Sequence, residues 1–152
     1  MPSVFGVVEV IFDEIVIEPL TAEQLALKIS PNLRSIGLLI KHIVRTRAAW
    51  LSLGMGEGDP DVAAIAQWEH DGDVPPPSEL LHALQITFHA WQECLQRWTP
   101  ADMATVFTRE YEGQTYELSR QWIIWHVIEH DLHHGGELGF SLGAHGLAAL
   151  DI

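Results

Sequence analysis

LSRQWIIWHVIEHDLHHGGELGFS, residues 118–141, carries the longest helical pattern in the chain. As one helix it spans some 36 Å at ~1.5 Å per residue. Trp122, His126, Glu129, His130, His133, His134 and Glu137 are strung along it. Residues four apart are neighbours on a helix surface, so His126, His130 and His134 form a stripe with His133 beside it. Two such imidazoles can share one divalent ion at ~2.0–2.1 Å without bending the backbone. Nine histidines scattered at random give roughly half a pair at this spacing, whereas two pairs fall within residues 126–134. A histidine-rich solvated face is the competing explanation, and the stripe alone leaves both open.

The rest of the chain supplies partners for that helix. Ser30 can cap and Pro31 suits a first helical position, so a second helix is predicted from Leu33 to about Leu53. Its apolar positions Ile36, Leu39, Ile40, Ile43, Val44 and Trp50 recur at helical spacing, and Gly54-Met55-Gly56 stops it. Ser78 is placed to cap a third helix with Leu81, Leu84, Phe88, Trp91, Leu95 and Trp98 as its seam, ended by Thr99-Pro100. Residues 4–17 read as a helix, although their β-branched content keeps a strand as the alternative. Thr21 and Gln24 have capping-box spacing and predict a short helical turn through Lys28. Glu57 to Pro77 forms a long connection, where Asp59-Pro60 opens a short helix ending near Trp68; its length marks it as a candidate lid. Val106 to Tyr116, with Gly113 near its centre, is either a small hairpin or an extended connection. Four helical segments and one long crossover predict an all-α fold, an antiparallel four-helix bundle, as one domain over residues 1–152.

Composition narrows the function. A chain of 152 residues and 17.0 kDa fits one domain and buries a core without staples. Its lone cysteine, Cys94, excludes an internal disulfide and a Cys-rich zinc cluster, and is expected to be buried and inert. A net charge of -13 argues against binding a nucleic acid backbone. The apolar start lacks a basic flank and no uncharged run reaches ~18 residues, so the expectation is a cytoplasmic protein with no membrane span.

His42 gives the stripe a counterpart. It sits mid-helix with Leu38, Leu39, Ala49 and Trp50 about it, so it should point partly inward. A lone inward histidine is usually a satisfied core residue. Bundle sites, however, are assembled from facing helices, and His42 opposite the stripe completes a three-nitrogen set. Three protein ligands leave a position open, which is the catalytic rather than the structural pattern.

At this point the sequence resembles the DinB-like (YfiT-like) superfamily of bacterial four-helix bundles. The resemblance runs from about Leu20 onward and rests on two stretches. One is Ser35-Ile36-Gly37-Leu38-Leu39-Ile40-Lys41-His42-Ile43, ending in Trp50-Leu51; the other is Trp125 to Leu138, with H-x-x-x-H at His130 and His134. It implies His42, His130 and His134 as ligands of a divalent metal, zinc or nickel. It also implies a homodimer, and in some members a low-molecular-weight thiol as cosubstrate. The family usually shows Arg, Gly and Gln after the last histidine, where this chain has Gly135, Gly136 and Glu137. Two helical glycines cost about 1 kcal/mol each relative to alanine, so close helix packing or a local break is expected there.

A metal with an open position supports hydrolysis through a bound water or transfer of a bound thiol to an electrophilic small molecule. Candidate acid/base or outer groups are Glu129, Asp131, His133, His126 and Glu137, with His126 and His133 nearest the stripe. Trp50 and Trp122 are candidates to line a pocket beside the metal. Two rival metal readings are weaker. His130 to His134 is an H-D-x-x-H, but Phe140 occupies the position of a further metzincin histidine, and Glu79 to His82 is the single Glu-x-x-His pair where a di-iron bundle needs two. The remaining alternative is a non-catalytic module that binds metal or responds to pH through its histidines.

Overall fold

The structure, a computed structural model, describes residues 20–148. The helix expected over 4–17 lies outside the described residues. Within them the chain is mostly helical, with one small antiparallel sheet that the all-α expectation did not include. Helix α1 (Ala22–Leu25) begins at the predicted capping box: Gln24 N–H donates to Thr21 Oγ1, and Thr21 N–H donates to the Gln24 side chain. It is shorter than predicted and ends at Ala26.

Helix α2 (Ile36–Ala49) starts later than Pro31 because the cap is Ser35, whose hydroxyl accepts from Leu38 N–H. Ser30 instead closes a turn, its carbonyl accepting from Leu33 N–H, and Ile36 N–H is taken by Leu27 O. Past Ala49 the helix widens into a π-type turn over Trp50–Gly54, and Gly56 at φ 69 carries the chain away. Such a widening re-aims side chains, here that of Trp50. Helix α3 (Pro60–Ala66) is capped by Asp59 as predicted. A strap over residues 67–76 then leads to α4 (Pro77–Arg97). Pro76 and Pro77, rather than Ser78, set the start of α4, because fixed φ values pre-form a first turn that needs no side-chain cap.

The core face of α4 is Leu80, Ala83, Leu84, Thr87, Trp91, Cys94 and Trp98. Leu81, Phe88 and Leu95, predicted for the seam, are half-buried at its flank. Thr87 enters the core because its hydroxyl donates to Ala83 O and Leu84 O, leaving nothing polar unpaired there. Strands β1 (Val106–Tyr111) and β2 (Gln114–Ser119) form the hairpin alternative, turning at Glu112 and Gly113, both with positive φ. Arg120 fastens the hairpin: its guanidinium lies over Trp98 and Phe107 and donates to Asp102 O.

Helix α5 (Arg120–Ala144) is capped by Ser119, whose hydroxyl accepts from Trp122 N–H. It runs through Gly135 and Gly136 without a break, and a Cβ built at either meets no neighbour among the described residues. Among the described residues neither close packing nor a break accounts for those glycines. Helices α2, α4 and α5 surround a core whose fully buried members include Ile36, Ile40, Val44, Leu51, Leu80, Ile123 and Leu138. Across it runs one buried ion pair, Arg47 Nε to Asp131 Oδ2 at 2.8 Å. No helix among the described residues is long and apolar enough to cross a membrane.

Candidate metal centre

Helix α2 turns Ile36, Ile40, Ile43 and Val44 into the core, which swings His42 to the seam with α5. On α5 the core takes Ile123, Val127, Asp131 and Leu138, leaving His130 and His134 half-buried along the same seam. The three side chains converge. His42 Nε2 stands 2.9 Å from His130 Nε2 and 3.2 Å from His134 Nε2.

Hydrogen bonding does not account for this arrangement. A neutral ring nitrogen has one lone pair or one hydrogen, so His42 Nε2 makes one good hydrogen bond rather than two. A shared cation does account for it. Ligand nitrogens at ~2.0–2.1 Å from one ion lie ~2.9–3.4 Å apart for angles between a right angle and the tetrahedral value. The outer contacts agree: His134 Nδ1 pairs with Glu137 Oε2 at 2.6 Å, an arrangement that directs Nε2 at a metal. Asp131 Oδ1 lies 3.8 Å from His130 Nδ1. His133, His134 and Glu137 form a second, more exposed grouping of donors that shares His134.

The site favours neutral imidazoles. Burial, then the positive charges at Arg34, His130, His134 and His70, lowers the pKa of His42 from 6.5 to about 3. Burial also lowers that of His134, against the opposing pull of Glu137, and that of His126. The unfolded chain therefore takes up a proton on residue 42 between pH 6.5 and about 3 that the folded chain refuses. That contribution to stability is whole above pH 6.5 and drains away as pH falls toward 3. The metal-free protein should melt at progressively lower temperature as it is acidified from neutrality, and His42→Asn should flatten the slope. Parallel slopes for the two proteins would contradict this account.

The remaining predicted residues separate. His126 stacks on Trp122 (ring centres 5.0 Å, 10° between planes) and meets Trp50 edge-on at 5.1 Å. Both tryptophans thus pack on His126, and Arg109 of β1 covers Trp50 at 4.4 Å. His126 is one turn from His130, with ring centres 6.5 Å apart. Glu129 and His133 face outward, with side chains 69% and 67% exposed. Cys94 is buried, as expected, and burial raises its thiol pKa. The sequence reading missed His70 and Arg34, which both bear on His42. Loop positions have no periodicity to read, and the one available signal was the length of the crossover that carries His70.

Comparison with known proteins bears on the fold and the family. No curated protein sequence matches significantly. A DinB-like protein from Bacillus cereus ATCC 10987 superposes with a TM-score of 0.70 at 22% identity, covering 95% of this chain and 89% of the other. A DinB-like protein (YjoA) from Bacillus subtilis gives 0.65 at 15% identity over the same shares. These likenesses establish the fold. A profile of the DinB superfamily matches residues 14–138, which contain all three converging histidines, and the chain belongs to that superfamily.

Proposed function

We propose that the protein is a metal-dependent enzyme in which His42, His130 and His134 hold one divalent ion, zinc or nickel, at a position open to a small-molecule substrate. The observation that carries this reading is the convergence of three Nε2 atoms from two helices. When bound, such an ion supplies a nucleophile at neutral pH by acidifying a coordinated water or low-molecular-weight thiol. The nucleophile comes from outside the chain, because Cys94 is buried in α4 with a raised pKa.

The chain's own groups bind and move protons. Glu137 holds the ring of His134 through Nδ1. His126, neutral at pH 7 because burial lowers its pKa, stands at the edge of the centre to accept a proton. The Trp50–Trp122 corner, with Arg109 above it, offers an aromatic wall for the substrate. Glu129 and His133 serve as the outer acid/base groups of the same proposal. The proposal includes the four-helix bundle and a homodimer in the cytoplasm. The exposed Trp125, Leu132 and Phe140, on one face of α5, support pairing of two copies. A nucleic acid partner is disfavoured by the -13 charge.

Elemental analysis of the purified protein should find one zinc or nickel per chain. The loaded protein should turn over either an ester or amide, or a thiol with an electrophile. A tightly bound ion with silence in both panels would favour the non-catalytic module. Protein that takes up no divalent ion would overturn the centre itself.

A further inference from the structure

The strap over residues 67–76 carries a fourth imidazole to the centre. His70 meets His42 edge-on with ring centres 5.1 Å apart and planes at 73°. The corresponding separations from His42 are 4.7 Å for His130 and 4.5 Å for His134. Rings bound to one ion through bonds of ~2.0–2.1 Å have centres ~4.5–5.2 Å apart between right-angle and tetrahedral arrangements. Relative to His42, His70 therefore stands at a ligand's separation.

Its contact with a carboxylate also resembles that of a ligand. His70 Nδ1 lies 3.1 Å from Asp71 Oδ1, as His134 Nδ1 lies 2.6 Å from Glu137 Oε2. A carboxylate on Nδ1 commits the proton there and leaves Nε2 with its lone pair free.

The strap is registered to the helix that carries His42. Lys41 Nζ donates to Asp73 O at 2.9 Å, and Arg45 Nε donates to Trp68 O at 2.6 Å. The donors bracket residue 42 on α2 and the acceptors bracket residue 70 on the strap. Beside them Val74 occupies the notch at Gly37, where a Cβ would come within 2.5 Å of Val74 Cγ1. Backbone position is thus fixed at both ends, while the ring itself is 45% exposed and stands outside the three-histidine set whose donor atoms lie within 4.8 Å of one another.

We propose that His70 is a fourth nitrogen donor to the ion held by His42, His130 and His134. It closes the open position when no substrate is present and is displaced when one enters. The proposal rests on the metal-centre reading above. It makes the strap a ligand-bearing gate rather than a passive lid.

Cobalt(II) loading of the full chain tests it without any activity assay. Wild type, His70→Ala and Asp71→Ala should each take up one cobalt. Against wild type, His70→Ala should show a changed visible ligand-field spectrum and release the ion to a chelator about tenfold faster or more. Asp71→Ala should shift both in the same direction by less. A His70→Ala spectrum and release rate superimposable on wild type would overturn the fourth donor and leave the three-histidine centre standing. Failure of wild type to take up cobalt would overturn both.

Discussion

His42→Ala should abolish stoichiometric binding of the divalent ion, and His130→Ala should do so independently. The two residues come from different helices, and their nitrogens are 2.9 Å apart. Removing either leaves two of the three converging nitrogens in a half-buried seam. Loss of an outer partner alone costs ~10–100-fold in metal affinity, so loss of a direct ligand should exceed that. The effect has a second readout. A ligand that binds only the folded chain adds about 2.7 kcal/mol of stability at a hundred times its dissociation constant. Wild type should therefore melt at higher temperature when zinc or nickel is added, and neither variant should. Calorimetric titration and elemental analysis after dialysis measure the first effect, and thermal melts the second. A variant that keeps one tight ion per chain would refute the ligand set.

Asp131→Ala should cost about 1.5–3 kcal/mol of folding stability. The carboxylate is 4% exposed and faces the Arg47 guanidinium, itself 2% exposed, with Nε to Oδ2 at 2.8 Å. Removing it takes a charged hydrogen bond away from a buried guanidinium, and such a bond is worth more than an exposed ion pair. Against a total of ~5–15 kcal/mol for a domain, that loss is a large share. Glu129→Ala, two residues away on the exposed face, should stay within about 0.5 kcal/mol. Urea unfolding midpoints compare the two. A loss below about 1 kcal/mol for Asp131→Ala would mean the pair is hydrated rather than buried. Because Asp131 follows His130 directly and lies 3.8 Å from its Nδ1, the core ion pair also braces a candidate ligand.

Much of this was legible in the residues. Periodicity located α2, α4 and α5 because each buries one stripe, and it set His42 opposite the stripe of His126, His130 and His134, from which the family resemblance singled out the last two. The capping box at Thr21 and the Asp59-Pro60 start were local chemistry and were read correctly. Ser30 and Ser78 misled because a serine near a helix start is a cap only if the following backbone begins the helix. At Ser30 the chain turns first, and at Ser78 two prolines have already set φ. On α4 the seam was read correctly at Leu84, Trp91 and Trp98 and missed at Leu81, Phe88 and Leu95, since counting large apolar side chains passes over Ala83 and over Thr87, which buries its hydroxyl by bonding it to the preceding turn. His70 lay beyond reach for a different reason. Its place depends on Lys41 and Arg45 reaching carbonyls far along the chain, and no spacing rule encodes such a contact.

The stacked corner of Trp50, Trp122 and His126 has a practical corollary. Indole fluorescence is sensitive to imidazolium charge and to open-shell cations nearby, and two of the six indoles pack on His126, which is one helical turn from the proposed ligand His130. The molecule thus contains its own optical gauge, so occupancy can be followed by emitted light on the unlabelled polypeptide.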